Sequence, residues 1–174
     1  MAADLDGELA TIASSLRHHG AGVLVTRVAS EAGPLGLDDL VARMSASAEP
    51  AVRDALIPLF LLRPDVAGRV ASICSALDPA VAKLLKIRYT AAAALAALWR
   101  TRLKLERPLP DLFAEELGVP PPGADYGEPC LAALANVERR LGIERHATDV
   151  YRAAADLAIA AKGARKGVPG APAR

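Results

Sequence analysis

At 174 residues the chain suits one domain and is long enough to bury a core without disulfide or metal staples. Its apolar share of 52% is mostly Ala and Leu, aromatics make up 3% and the net charge is +1, so the expected core is small and aliphatic and built on good helix formers. Composition also argues against several classes: Cys74 and Cys130 are too few and too far apart for a disulfide framework, residues 1–9 are acidic where a secretory leader is basic, and the longest apolar run, residues 90–99, is about half of the ~20 residues that span a bilayer. A cytoplasmic protein with reduced cysteines and no membrane contact is the expectation, and the Ala, Arg and Pro bias suggests a bacterial source.

In chain order, a first helix is predicted over residues 4–19, closed by Gly20, and a second over residues 22–32, broken at Gly33-Pro34. A third starts near Leu37, where Asp38 and Asp39 complement the positive end of its dipole. Glu49-Pro50-Ala51-Val52, Arg63-Pro64-Asp65-Val66 and Asp78-Pro79-Ala80-Val81 then mark three further helix starts, because proline is tolerated in a first turn, where its missing N–H has no partner to lose. Residues 49–56 (EPAVRDAL) resemble the second helix of a HEAT-type repeat, which would imply stacked helix pairs and an interaction scaffold. Pro58 should kink the helix that Pro50 opens. The run Leu59, Phe60, Leu61 and Leu62 is apolar on every side and needs cover, from this chain or from a partner, which makes it the candidate interface.

Residues 78–107 are read as one long helix holding the only Trp and seven basic residues against two acidic ones. That net of +5 stands against −3 for residues 1–77 and −1 for residues 108–174. On a continuous helix Lys83, Lys86, Arg100, Lys104 and Arg107 fall within a stripe about 120° wide, opposite Leu84, Leu85, Leu95, Leu98 and Trp99. The stripe is a candidate polyanion site, balanced in part by acids of the first helices such as Glu31, Asp38 or Asp39. A proline-rich connector follows over residues 108–128, with a short helix from Pro110 to Leu117 stopped by Gly118. A helical hairpin is predicted over residues 129–162, turning near Gly142, and residues 163–174 read as a flexible basic tail.

Chemical motifs are sparse. Arg139 or Arg140 followed by His146 has the Arg-x(4 to 6)-His spacing, and here the chain resembles HEPN-type ribonucleases, which would imply an Arg and a His handling phosphate and proton transfer in RNA cleavage. Leu141 replaces the polar residue usual after the Arg, and Gly142 threatens the helix that would hold both groups on one face. His18 and His19 project about 100° apart on a helix, unsuited to a shared metal. No loop motif for a nucleotide and no Gly-x-Ser-x-Gly elbow occurs, so no cofactor and no metal are expected. Residues 29–33 have the spacing of a helix-turn-helix turn, but the next helix opens on Asp38 and Asp39, which phosphate repels.

Together these features predict an all-α, single-domain bundle of six to eight helices. The expected function is a non-enzymatic interaction or regulatory module that binds a protein partner or itself, with a HEPN-like ribonuclease and a basic nucleic-acid-binding accessory protein as the alternatives.

Overall fold

A computed structural model of the protein describes residues 2–22, 33–143 and 147–164. Among these residues every regular element is helical and no strand occurs, the all-α bundle that the composition predicts. Helix α1 (Ala2–His18) stops at Gly20, whose φ of 74° is the left-handed geometry that glycine adopts without strain. Of the helix predicted over residues 22–32, residues 23–32 with the acid Glu31 lie outside the described residues, as does the predicted tail from residue 165 onward. The chain re-enters against α1: the Leu35 N–H donates to Ser15 Oγ at 2.9 Å, and the Leu35 carbonyl accepts from His19 Nε2 at 2.8 Å.

All three prolines that marked helix starts sit there. Pro50 opens α3 (Pro50–Asp54), Pro64 opens a 3₁₀ turn (Pro64–Val66) that leads into α5 (Ala67–Ala76), and Pro79 opens α6 (Pro79–Leu98), where the Asp78 side chain caps Ala80 N at 2.8 Å. Helix α2 (Leu37–Ala46) precedes them. The 49–56 segment is not one helix. It breaks at Ala55, and α4 (Leu56–Leu62) starts afresh with Pro58 in its first turn, where the proline displaces no hydrogen bond instead of kinking a longer helix.

Leu59, Phe60, Leu61 and Leu62 are covered entirely from within the chain, by α6 and by α10 (Ala147–Ala164). As a monomer surface they therefore offer no interface. The partners come close because their facing side chains are small: α10 presents Ala147, Ala154, Ala155, Ala158 and Ala161 to the core, and α6 is Ala at residues 91–94 and 96.

The predicted 30-residue helix is two elements. Trp99 (φ −108°, ψ 21°) ends α6, and α7 (Arg100–Leu103) closes on Lys104 with φ 50°. The turn at Lys104 has a packing cause. Leu103 and Leu105, about 200° apart on a continuous helix, are both buried once left-handed Lys104 turns the chain between them, and Lys162 Nζ of α10 binds the freed Leu103 carbonyl at 2.9 Å.

The proline-rich connector is packed rather than loose. Tyr89 OH donates to the Pro110 carbonyl at 3.0 Å, and Phe60, Tyr89 and Phe113 form an edge-to-face chain. The short helix α8 (Ala114–Leu117) ends at Gly118, φ 66°, as the sequence implied, and leads through a turn at Ala124–Gly127 to α9 (Glu128–Arg140). Gly127 is required there, because a Cβ at this residue would lie 2.4 Å from the Ala94 carbonyl oxygen.

Candidate functional site

Four helices meet at a buried ionic cluster. Arg88, in the middle of α6, pairs through Nη1 with Glu138 of α9 and through Nη2 with Asp54 at the end of α3, the latter at 3.0 Å. Tyr151 of α10 donates its hydroxyl to the same Glu138 oxygen at 2.7 Å. Arg88 and Glu138 are 3% and 2% exposed, so the pair is held in a low-dielectric interior where each charge depends on the other. Burial, reinforced by the Glu138 carboxylate, pushes the Tyr151 hydroxyl far above its usual range and keeps it a donor. Arg88 Nε has no acceptor among the described residues, so the guanidinium is committed through its two terminal nitrogens.

Tyr151 links this cluster to a hollow of about 490 Å³. Leu95, Leu98 and Trp99 form one wall at the α6–α7 junction, Glu128, Leu131 and Ala132 of α9 a second, and Thr148, Tyr151 and Arg152 of α10 a third. Its size lies in the range of pockets that take ligands, and its lining is mostly apolar with a few polar groups. The three walls belong to the helices that Arg88, Glu138 and Tyr151 tie together, so the cluster fixes the spacing of the groove. Trp99 is half-buried, and its ring is stacked by Arg102, whose guanidinium carbon is 5.1 Å from the ring centre. At the end of α9 that bears Glu128, Asp125 and Tyr126 have φ of 40° and 57°, and the Tyr126 side chain is 77% exposed. Two adjacent non-glycine residues in left-handed geometry are costly and are held here by the packing of Gly127 on α6.

The proposed basic stripe is not one line. Residues 87–96 are buried on all sides, so Lys83 and Lys86 are cut off from Arg100, Lys104 and Arg107 by the bundle interior. Lys86 is paired with Glu116 of α8 at 2.5 Å rather than with an acid of the first helices, and Asp38 is taken by Arg69 at 2.9 Å. Lys83 instead shares a hollow of about 370 Å³ with Glu116 and Arg140. Arg139, exposed, donates to Asn136 Oδ1 at 2.9 Å. Helix α9 stops at Arg140 and Gly142 has φ 72°, so no continuous helix carries Arg139 or Arg140 toward His146, which lies outside the described residues.

Cys74 and Cys130 are buried free thiols, pushed up to about 11 and about 12 by desolvation and so held protonated. Among the described residues no helix is long and apolar enough to cross a membrane, and no His, Cys, Asp and Glu side chains gather as a metal site.

The sequence reading missed the cluster, although a signal for it existed. Arg88 lies three and four residues from Leu85 and Leu84 and from Ala91 and Ala92, inside the apolar face, and Glu138 continues the buried spacing of Cys130 and Leu134. A charge on a core stripe in two helices at once points to an internal pair. Family models, curated proteins and solved structures yield no significant match to this chain, leaving its own geometry to carry the functional reading.

Proposed function

We propose that the protein is a non-catalytic interaction module that seats an apolar segment of a protein partner in the Trp99 groove. One observation carries the reading: the chain's single Trp stands half-open in a hollow whose three walls are locked in place by a buried ion pair. Interfaces draw most of their energy from Trp, Tyr and Arg anchors in preformed, desolvated pockets, and Trp99, Arg102 and Arg152 meet here over the buried Tyr151. Preorganisation matters because a wall that must be ordered on binding offsets part of the gain.

A photo-crosslinking amino acid placed at Ala132, which is exposed on the groove, tests this in cells against the same probe at Ser72, exposed on α5 away from it. The expected result is a discrete protein adduct from position 132 that is lost when Leu131→Glu is added, with none from position 72. Adducts from both positions alike, or from neither, would remove the groove reading.

A further inference from the structure

Building on the groove reading, we infer that the occupant is an acidic amphipathic helix of the partner, its apolar face in the Trp99 hollow and its carboxylates toward the cations of residues 100–107. A helical occupant follows from backbone chemistry. The walls are helices whose main-chain groups are already paired within their own turns, and no strand edge occurs among the described residues, so an extended segment would lose water without gaining backbone partners. A helix brings its own hydrogen bonds and needs only side-chain pockets, which Leu95, Leu98 and Leu131 provide.

The sign of the charge follows from the segment that continues from Trp99, whose Arg102 lies against the Trp99 ring. Arg100, Arg102, Lys104 and Arg107 are all exposed, with Glu106 the single acid in the segment, and none of the four makes an ion pair among the described residues. On the lining itself Arg152 and Glu128 offset one another, and Asp149 and Asp156 flank Arg152 by one turn on either side, so this part of α10 is net acidic. The positive bias therefore lies on residues 100–107, and the acidic face of the occupant turns that way and away from α10. Nucleic acid fits the hollow less well. One face of the only Trp is covered by Arg102, Tyr151, the other aromatic of the lining, is buried with its hydroxyl on Glu138, and Glu128 would meet a phosphate with like charge.

The test uses the full chain and the emission of Trp99, which needs no label. The probes are a designed peptide with Leu at helical spacing and Glu on its other face, the same Leu pattern with Lys in place of Glu, a polyglutamate without Leu, and a single-stranded oligonucleotide. The Leu–Glu peptide is expected to shift Trp99 emission saturably and to bind at least fivefold more tightly than the Leu–Lys peptide at low salt, with the gap narrowing as salt rises. An Arg100→Glu and Arg107→Glu double variant should reverse that preference and keep the far-ultraviolet dichroism of the parent. Equal affinity for the two peptides, or no peptide response while a crosslink still forms at position 132, would overturn the acidic-helix inference and leave the groove reading standing. Failure of both peptides and of the crosslink would end both. An oligonucleotide that shifts Trp99 more strongly than the Leu–Glu peptide would reassign the surface to nucleic acid.

Discussion

Arg88 and Arg102 belong to the same basic stretch of sequence, and the fold uses them in opposite ways. Arg88 sits where the helix is buried on every side and is bound by two carboxylates from other helices; Arg102 sits past the break at Trp99, exposed, with its guanidinium on an aromatic face. The difference is set by the neighbours at three and four residues, which are leucines and alanines around Arg88 and, on the N-terminal side of Arg102, Leu98 and Trp99 at the end of the helix. A count of basic residues along a helix therefore says little about its surface. What separates a structural arginine from one available to a partner is whether an apolar stripe runs through it.

The sharpest way to break this contrast is to truncate one member of the buried pair. Arg88→Ala leaves Glu138 charged and enclosed, and should cost about 3–5 kcal/mol in urea unfolding. An Arg88→Met, Glu138→Met double variant removes both charges of the most enclosed pair and should recover part of that loss, since a buried ion pair and an apolar replacement of similar volume are often close in stability, while Asp54 and the Tyr151 hydroxyl lose their contacts with Arg88 and Glu138. The double variant also bears on the groove. If the pair is what spaces α6, α9 and α10, its removal should loosen the Trp99 site and change its emission even where stability returns.

A smaller effect is expected from Tyr151→Phe, which deletes one hydroxyl from the Glu138 oxygen and keeps the ring. Loss of a buried hydrogen bond to a charged group costs about 1.5–3 kcal/mol, and the Arg88 contact remains to hold the carboxylate. Because the phenol is held far above its usual range, the wild-type hydroxyl stays a donor through neutral and moderately alkaline conditions. The gap between wild type and Tyr151→Phe should therefore be constant from pH 6 to pH 9. A gap that closes over that range would show that the hydroxyl is not the Glu138 donor.

Much of the fold was legible because its punctuation is local. Pro50, Pro64 and Pro79 start elements, and Gly20, Gly118 and Gly142 end or turn them with positive φ, so each boundary could be read from one residue's own backbone preference. The places that escaped are those settled by distant contacts. The end of α7 depends on Leu103 and Leu105 both finding the core and on Lys162 of α10, 59 residues away, reaching the Leu103 carbonyl. The order in the connector depends on Tyr89 binding Pro110, and the burial of Leu59 to Leu62 depends on an alanine face of α10. The site followed the same rule. Trp99 is visible in the sequence as the chain's single Trp, but the walls that make a groove of it come from α9 and α10, and the expected stripe of cations needs a helix that in fact stops.

The smallest change should come from Arg102→Ala, and its smallness is what the comparison requires. Arg102 is exposed, and its described contact is the stack on Trp99, the kind of cation–π pair worth about 0.5–1 kcal/mol at an open site. Its removal leaves no enclosed charge behind, so the midpoint of urea unfolding should fall by far less than for Arg88→Ala. Trp99 emission, by contrast, should change clearly, since one ring face is uncovered. Stability nearly kept with altered emission places Arg102 at the surface of the groove, where a partner can use it. A loss as large as that of Arg88→Ala would mean that α7 is held by its cations and would remove the distinction between the two arginines.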